Sequence, residues 1–377
     1  MKTDLFGPRK SPWSHPTNTM KLINLVLANP DKDWAWYALS RNPNITFTDI
    51  LDHRNLPWIW SAVSQNPNVT LHDVLGHPDL PWVWTGLSQN PNTRFADVLN
   101  HLDKSWEWGW VSRMPEITMK DVLDHPQLPW VWNCLSGHDN ITMKDILDHP
   151  ELPWEPYFVS GNPNITIQDV REHPDFDWDW ITLREHPNIT VKDILEYPRL
   201  QTSWGWIKNP NITLDDVLAH PELNLDMTGV SRTVTMKDVL AHPEVRWSWR
   251  GLSANPNITM WHVAKHPDKP WEWWSLSWND RITFRDVLNN PQQKWDWCGV
   301  SKKPDLTVQD VADHPDLPWN WLYISANLYG YVRHENKERI QKRTGILKEE
   351  LMMKAWHPDR VERWIERGVA DMMMGTE

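Results

Sequence analysis

The stretch Asn66–Gln89, NPNVTLHDVLGHPDLPWVWTGLSQ, is the unit from which most of the chain is built. Its threonine falls in a slot held by Thr46, Thr70, Arg94, Thr118, Thr142, Thr166, Thr190, Thr213, Thr235, Thr259, Thr283 and Thr307. The interval is 24 residues throughout, except 23 before Thr213 and 22 before Thr235. A fixed period of this length marks a stacked array of supersecondary units.

The threonine opens a short helix A. Its hydroxyl can accept the N–H three residues on, where Asp73 stands ready as the acidic half of a capping box and suits the positive end of the helix dipole. Val69 before the cap pairs with Val74 as a hydrophobic staple. Leu71, Val74 and Leu75, at i, i+3 and i+4, predict one buried stripe. Pro78 stops the helix. Helix B is expected to start near Pro81, a favoured first position, and to run through Trp82, Trp84, Gly86 and Leu87 to Asn90-Pro91. The small residue four after the first Trp (Ala38, Ala62, Gly86, Gly251, Gly299) would leave room for an indole to lie across it.

Helices of about two turns do not hold alone in water, so they must persist by stacking on neighbouring copies. The expected fold is therefore all-α: an α-solenoid of about 12–13 two-helix repeats, a curved rod on the order of 100 Å long at the usual helix spacing. Residues 1–21 read as an N-terminal extension or cap, and 22–325 as the solenoid. Residues 326–377, with the polar YVRHENKERIQKR from Tyr331, read as a helical C-terminal cap, since an array needs a polar end unit. Between 200 and 235 the register breaks twice. Trp204 and Trp206 come late, and Leu225 and Met227 stand where Trp is expected. Drift absorbed by the neighbours and a local bend are both open readings there.

Thirty Trp and 31 Pro report the repeat and not a separate function. The net charge of −12 argues against nucleic acid and anionic membrane surfaces as partners. Cys134 and Cys298 occupy unrelated slots, so neither a disulfide framework nor a zinc site is expected. No leader or long apolar run stands out, and a cytoplasmic setting is expected.

Nine helices pair Asp with His four residues on, as in Asp73/His77 and Asp310/His314. A catalytic dyad or metal site would not recur nine times, so the pair reads as structural. The Asn-x-Thr triplets from Asn44 to Asn257 match the glycosylation acceptor, but the threonine is already committed to capping. His357-Pro358-Asp359 matches the tripeptide of chaperone J-domains, yet HPD also occurs at His77, His173, His266 and His314, where it is the repeat's turn. No nucleophile–base pair or phosphate loop stands apart, so no enzyme, cofactor or metal is expected. Trp110, Trp261, Trp274 and Trp278 fall outside the paired slots and are the candidate contact residues.

The pattern NPNIT-x2-DVL-x-HPDLPW-x-W-x-GLS over residues 20–325, with KAWHPDRVERW from Lys354 to Trp364, resembles repeat proteins of giant amoebal DNA viruses of the Mimivirus type. That resemblance implies a viral origin and action in the host cytoplasm, and it supplies no catalytic residues. The expected function is a non-enzymatic scaffold for protein partners. An aromatic-lined glycan-binding protein and a structural virion component are the alternatives.

Overall fold

A computed structural model of the protein describes residues 20–197, 200, 212–220 and 227–329. The chain divides at Tyr329 into a repeat unit and a second unit, Gly330–Glu377. The expected cap over 326–377 lies, beyond Tyr329, outside the described residues, as does the extension up to residue 19. The described residues contain 25 short helices and no strand. This is the α-solenoid expected from the period.

Helix A forms as its capping box dictates. In Leu71–Gly76 the Thr70 N–H and hydroxyl both donate to Asp73 Oδ2, at 2.8 and 2.6 Å, and Asp73 N–H returns to Thr70 Oγ1 at 3.3 Å. The same box caps Phe47–Asp52, Met143–Asp148 and Val308–Asp313. At Arg94 only the acidic half survives, Asp97 accepting from Arg94 N–H at 2.9 Å. Val69 and Val74 are buried, as the staple requires. Leu75 is not: it is 53% exposed, and Leu123, Leu147 and Leu240 in the same slot are exposed with it. The helix stops one residue later, so nothing from its own unit reaches round to cover that face.

Helix B begins later than Pro81. It spans Trp84–Leu87, and Val83 is extended with φ −115° and ψ 104°. Two bonds hold the segment open. Trp82 Nε1 donates to His77 O at 2.8 Å, and Val83 N–H donates to Ser64 Oγ of the preceding unit at 3.1 Å. The residue between the two Trp therefore contacts its neighbour through backbone, which explains why its side chain varies freely.

Neighbouring units are stitched by two asparagines. Asn90 Nδ2 reaches Ser64 O, Asn66 O and Val69 O at 2.9, 3.0 and 3.1 Å. Asn92 Nδ2 reaches Pro67 O and Val69 O at 2.8 and 2.9 Å. These bonds satisfy turn carbonyls that burial would otherwise leave costly. They also occupy the amides of the Asn-x-Thr triplets: Asn68, for example, donates to Pro43 O and Ile45 O.

The indoles interlock between units. The second Trp of one unit meets the first of the next edge to face, as in Trp60–Trp82 at 5.2 Å and 90° and Trp273–Trp295 at 5.0 Å and 85°. That geometry suits the aromatic quadrupole. The small slot has a different cause from the one expected. A Cβ on Gly86 would stand 2.6 Å from Ser61 O, and one on Gly251 2.7 Å from Thr228 O. Neighbouring helices B thus approach backbone to backbone. At Gly299 an indole also lies across the slot, Trp278 Cδ1 standing 3.0 Å from the same point.

The array is not an open rod. Its first unit packs on its last through the same partners that join any two neighbours. Ala35 N–H donates to Ser325 Oγ at 3.0 Å. Asn42 Nδ2 reaches Ser325 O and Asn327 O at 2.8 and 3.0 Å, and Asn44 Nδ2 reaches Leu328 O at 2.8 Å. Trp321 meets Trp34 at 4.8 Å, and helix Trp36–Ser40 packs on Trp321–Ala326. Between most described neighbours helices B pack more closely than helices A, so a unit is a wedge and the wedges sum to a closed turn. The end faces that an open array covers with caps cover one another here. The repeat accordingly runs past 325: Asn327 fills the first stitching slot, and Tyr329 N–H bonds Asn327 Oδ1 at 2.8 Å.

In the irregular stretch, Trp204, Trp206 and Leu225 lie outside the described residues. Its second half shows where the lost residues went. Ser231 Oγ still accepts Ser248 N–H at 3.1 Å, and Asn255 Nδ2 still reaches Ser231 O and Val234 O, at 2.9 and 2.7 Å. The turn between Ser231 and Thr235 is shorter, yet the stitches survive.

Candidate interaction surface

The first indoles of the ladder have no spare bonding capacity. Each first indole N–H that is described goes to the carbonyl five residues earlier, as Trp58 to His53 O and Trp319 to His314 O, at 2.9 and 2.8 Å. The Asp/His pairs are consumed as well. Asp73 is held by Thr70, while His77 Nδ1 lies 2.9 Å from the Asp73 backbone carbonyl, not from its carboxylate. The repeated pair is therefore a helix start and a helix stop, and no proton relay joins them. Among the described residues no group of His, Cys, Asp and Glu could hold a metal ion, and no helix is long and apolar enough to cross a membrane.

What remains available is the solvent-exposed face of helix B. The position just after the second Trp and the position four further on lie on one helical face. The first holds Arg250, Trp274, Cys298, Leu322 and Tyr37 on the successive helices Trp249–Ser253, Trp273–Trp278, Trp297–Ser301, Trp321–Ala326 and Trp36–Ser40. The second holds Ala254, Trp278, Lys302, Ala326 and Arg41. Because the last and first units pack together, these two rows continue across the closure.

Of the four candidate tryptophans, the structure brings Trp274 and Trp278 together. Trp274 is 52% exposed, and its ring centroid lies 6.2 Å from that of Trp278. Trp278 is half-buried. Its Nε1 donates to Asp296 Oδ2 at 2.7 Å, and its ring meets Tyr323 edge to face at 5.5 Å. Two cations frame the cluster, Arg250 over Trp274 at 5.5 Å and Lys302 over Trp278 at 5.6 Å. Trp110, 44% exposed, stands apart on helix Trp108–Val111. Trp261, 62% exposed, lies on a helix A, Met260–Lys265, with Lys265 over its ring at 4.6 Å.

Sequence reasoning missed Tyr323, Arg250, Lys302 and Tyr37. Tyr323 had a legible signal, because it fills the slot that Gly86, Gly251 and Gly299 keep small. The cations had none, since an exposed Lys or Arg on a short helix is ordinary. A hollow of about 400 Å³ is lined by Arg113, Asn133, Cys134, His138 and Phe158. Burial pushes the Cys134 thiol up, away from the reactive thiolate.

Comparison of the chain with protein-family models, with curated proteins and with solved structures returned no match.

Proposed function

We propose that the ring is a non-enzymatic scaffold that binds protein partners through the aromatic and basic arc of its helices B. The supporting observation is the cluster of Trp274, Trp278 and Tyr323, framed by Arg250 and Lys302 outside the self-satisfied ladder. Trp, Tyr and Arg are the residues that carry most interface energy. The flanking cations favour a partner surface offering carboxylates beside apolar side chains. The resemblance to giant-virus repeat proteins implies action in a host cytoplasm, and that setting belongs to the proposal.

Trp274→Ala combined with Lys302→Glu changes two exposed side chains. The expected result is a partner captured by the wild-type ring and bound about 30-fold more weakly by the variant, the loss of about 2 kcal/mol typical of a hot spot. The melting midpoint should not move. Equal capture by both proteins would defeat the reading. Indole fluorescence quenched by simple oligosaccharides in the wild type alone would transfer the surface to a glycan ligand.

A further inference from the structure

The first stitching slot forms a thread from unit to unit, most of its described residues donating to the backbone carbonyl of their counterpart in the preceding unit, although Met114 has no side-chain donor to do so. Asn279 donates to Asn255 O, Lys303 to Asn279 O, Asn327 to Lys303 O, Asn42 to Asn327 O, Asn66 to Asn42 O and Asn90 to Asn66 O. Asparagine is well suited to this, because its amide does not titrate. In two units the slot is histidine, and both are buried.

The bonding of these rings fixes their tautomer. His138 Nε2 lies 3.0 Å from Met114 O, and Nδ1 accepts Asn140 N–H at 3.0 Å. His186 Nε2 lies 2.9 Å from Asn162 O, and Nδ1 accepts Asn188 N–H at 3.1 Å. Each imidazole is thus neutral, donating at Nε2 and accepting at Nδ1. A second proton would sit on Nδ1 and face an N–H that has no other direction to point. We propose that His186 is an acid-sensitive joint: below about pH 6.5, the ordinary histidine value, the ring loosens at this unit interface and not at those stitched by asparagine.

The charged groups nearby do not remove the effect. Arg184 and Glu185 precede His186, and the adjoining turn, residues 160–165, contains no titratable side chain. Burial holds His186 below the ordinary histidine value, outweighing the favourable Asn162 carbonyl. A group with a depressed native pKa contributes stability that is complete above its unfolded value. That stability is lost as pH falls toward the native one.

The test is hydrogen exchange on the full chain between pH 7.5 and 5, corrected for the intrinsic rate. The Asn188 amide should lose about tenfold in protection, because the opened histidine takes up a proton that the closed one refuses. The Asn68 amide is the internal control. It donates to Asn66 Oδ1 at 2.8 Å in the equivalent turn and has no titrating partner, so its protection should stay level. His186→Asn should remove the pH dependence. Level protection at Asn188, or an equal loss at Asn68, overturns the proposal. Because the wild-type chain carries its own control, either result is decisive even if the variant fails to fold.

Discussion

Asn42→Asp is expected to open the ring, whereas Asn66→Asp, the same substitution one unit later, is expected only to weaken it. Both amides are buried against turn carbonyls, Asn42 against Ser325 O and Asn327 O and Asn66 against Ser40 O, Asn42 O and Ile45 O. A carboxylate there has no donor and faces two or three carbonyl oxygens, which costs about 3–5 kcal/mol. At Asn66 a loop still tethers the two units, so loss of contact leaves them neighbours. At Asn42 no described loop tethers the two units. The four hydrogen bonds and one indole pair there are worth about 3–7 kcal/mol together, so the substitution removes most of the polar part of the joint and leaves only the apolar packing of Leu22–Ala28 on Val308–Asp313 and of Trp36–Ser40 on Trp321–Ala326 to hold it.

Small-angle scattering should show Asn42→Asp expanded, with the Ala35 amide, normally on Ser325 Oγ, unprotected in hydrogen exchange. Asn66→Asp should keep both features while its melting midpoint falls. Identical scattering from the two variants would mean that the joint is not the weak point of the ring.

The second large effect belongs to Lys303, which fills the same slot and is buried. Its Nζ donates to Asn279 O at 3.1 Å. Burial pulls its pKa from the ordinary 10.5 down to about 8, against the pull of Asp305, Asp280 and Asp286. Between those two values the unfolded chain keeps the proton that the folded chain has lost, so stability climbs as pH rises from about 8 to 10.5. The difference is worth about 3 kcal/mol, and at neutral pH it stands as destabilisation.

Lys303→Asn restores the amide used by most units and should raise stability at pH 7 by about that amount. Denaturant titrations of both proteins at pH 7.5 and 10 should find the gap nearly closed at the higher pH. A gap that does not change with pH would show that Lys303 holds its proton in the native ring as firmly as in the unfolded chain. Tyr329, whose buried phenol is held protonated and donates to Ile324 O at 2.9 Å, opposes the climb above about pH 10 equally in both proteins, so it cancels.

The repeat alone determined what is local. Thr70, Asp73 and Val69 announce a capped helix because their partners lie within five residues, and Pro78 announces its end for the same reason. The ladder was legible as core because its period matched the unit. Trp274 and Trp278 could be picked out as exceptions to the pattern, though only one of them is openly exposed and their companion Tyr323 comes from a unit two further along.

Other features depended on long-range geometry. Val83 leaves the helix because a serine of the preceding unit takes its N–H, so the start of helix B could not be read from Pro81. Leu75 sits at a spacing that promises burial, yet no neighbouring element covers it. Closure is the plainest case. Ala35 and Ser325 meet because the small bend at each unit interface, set by how closely backbones pass at Gly86 and Gly251, adds up around the array to one turn. The sequence determined the wedge, since capping, staple and stitch are encoded within two adjacent units. Only the tertiary structure decided that the wedges close, because their angle is a sum over packing contacts that no single residue specifies.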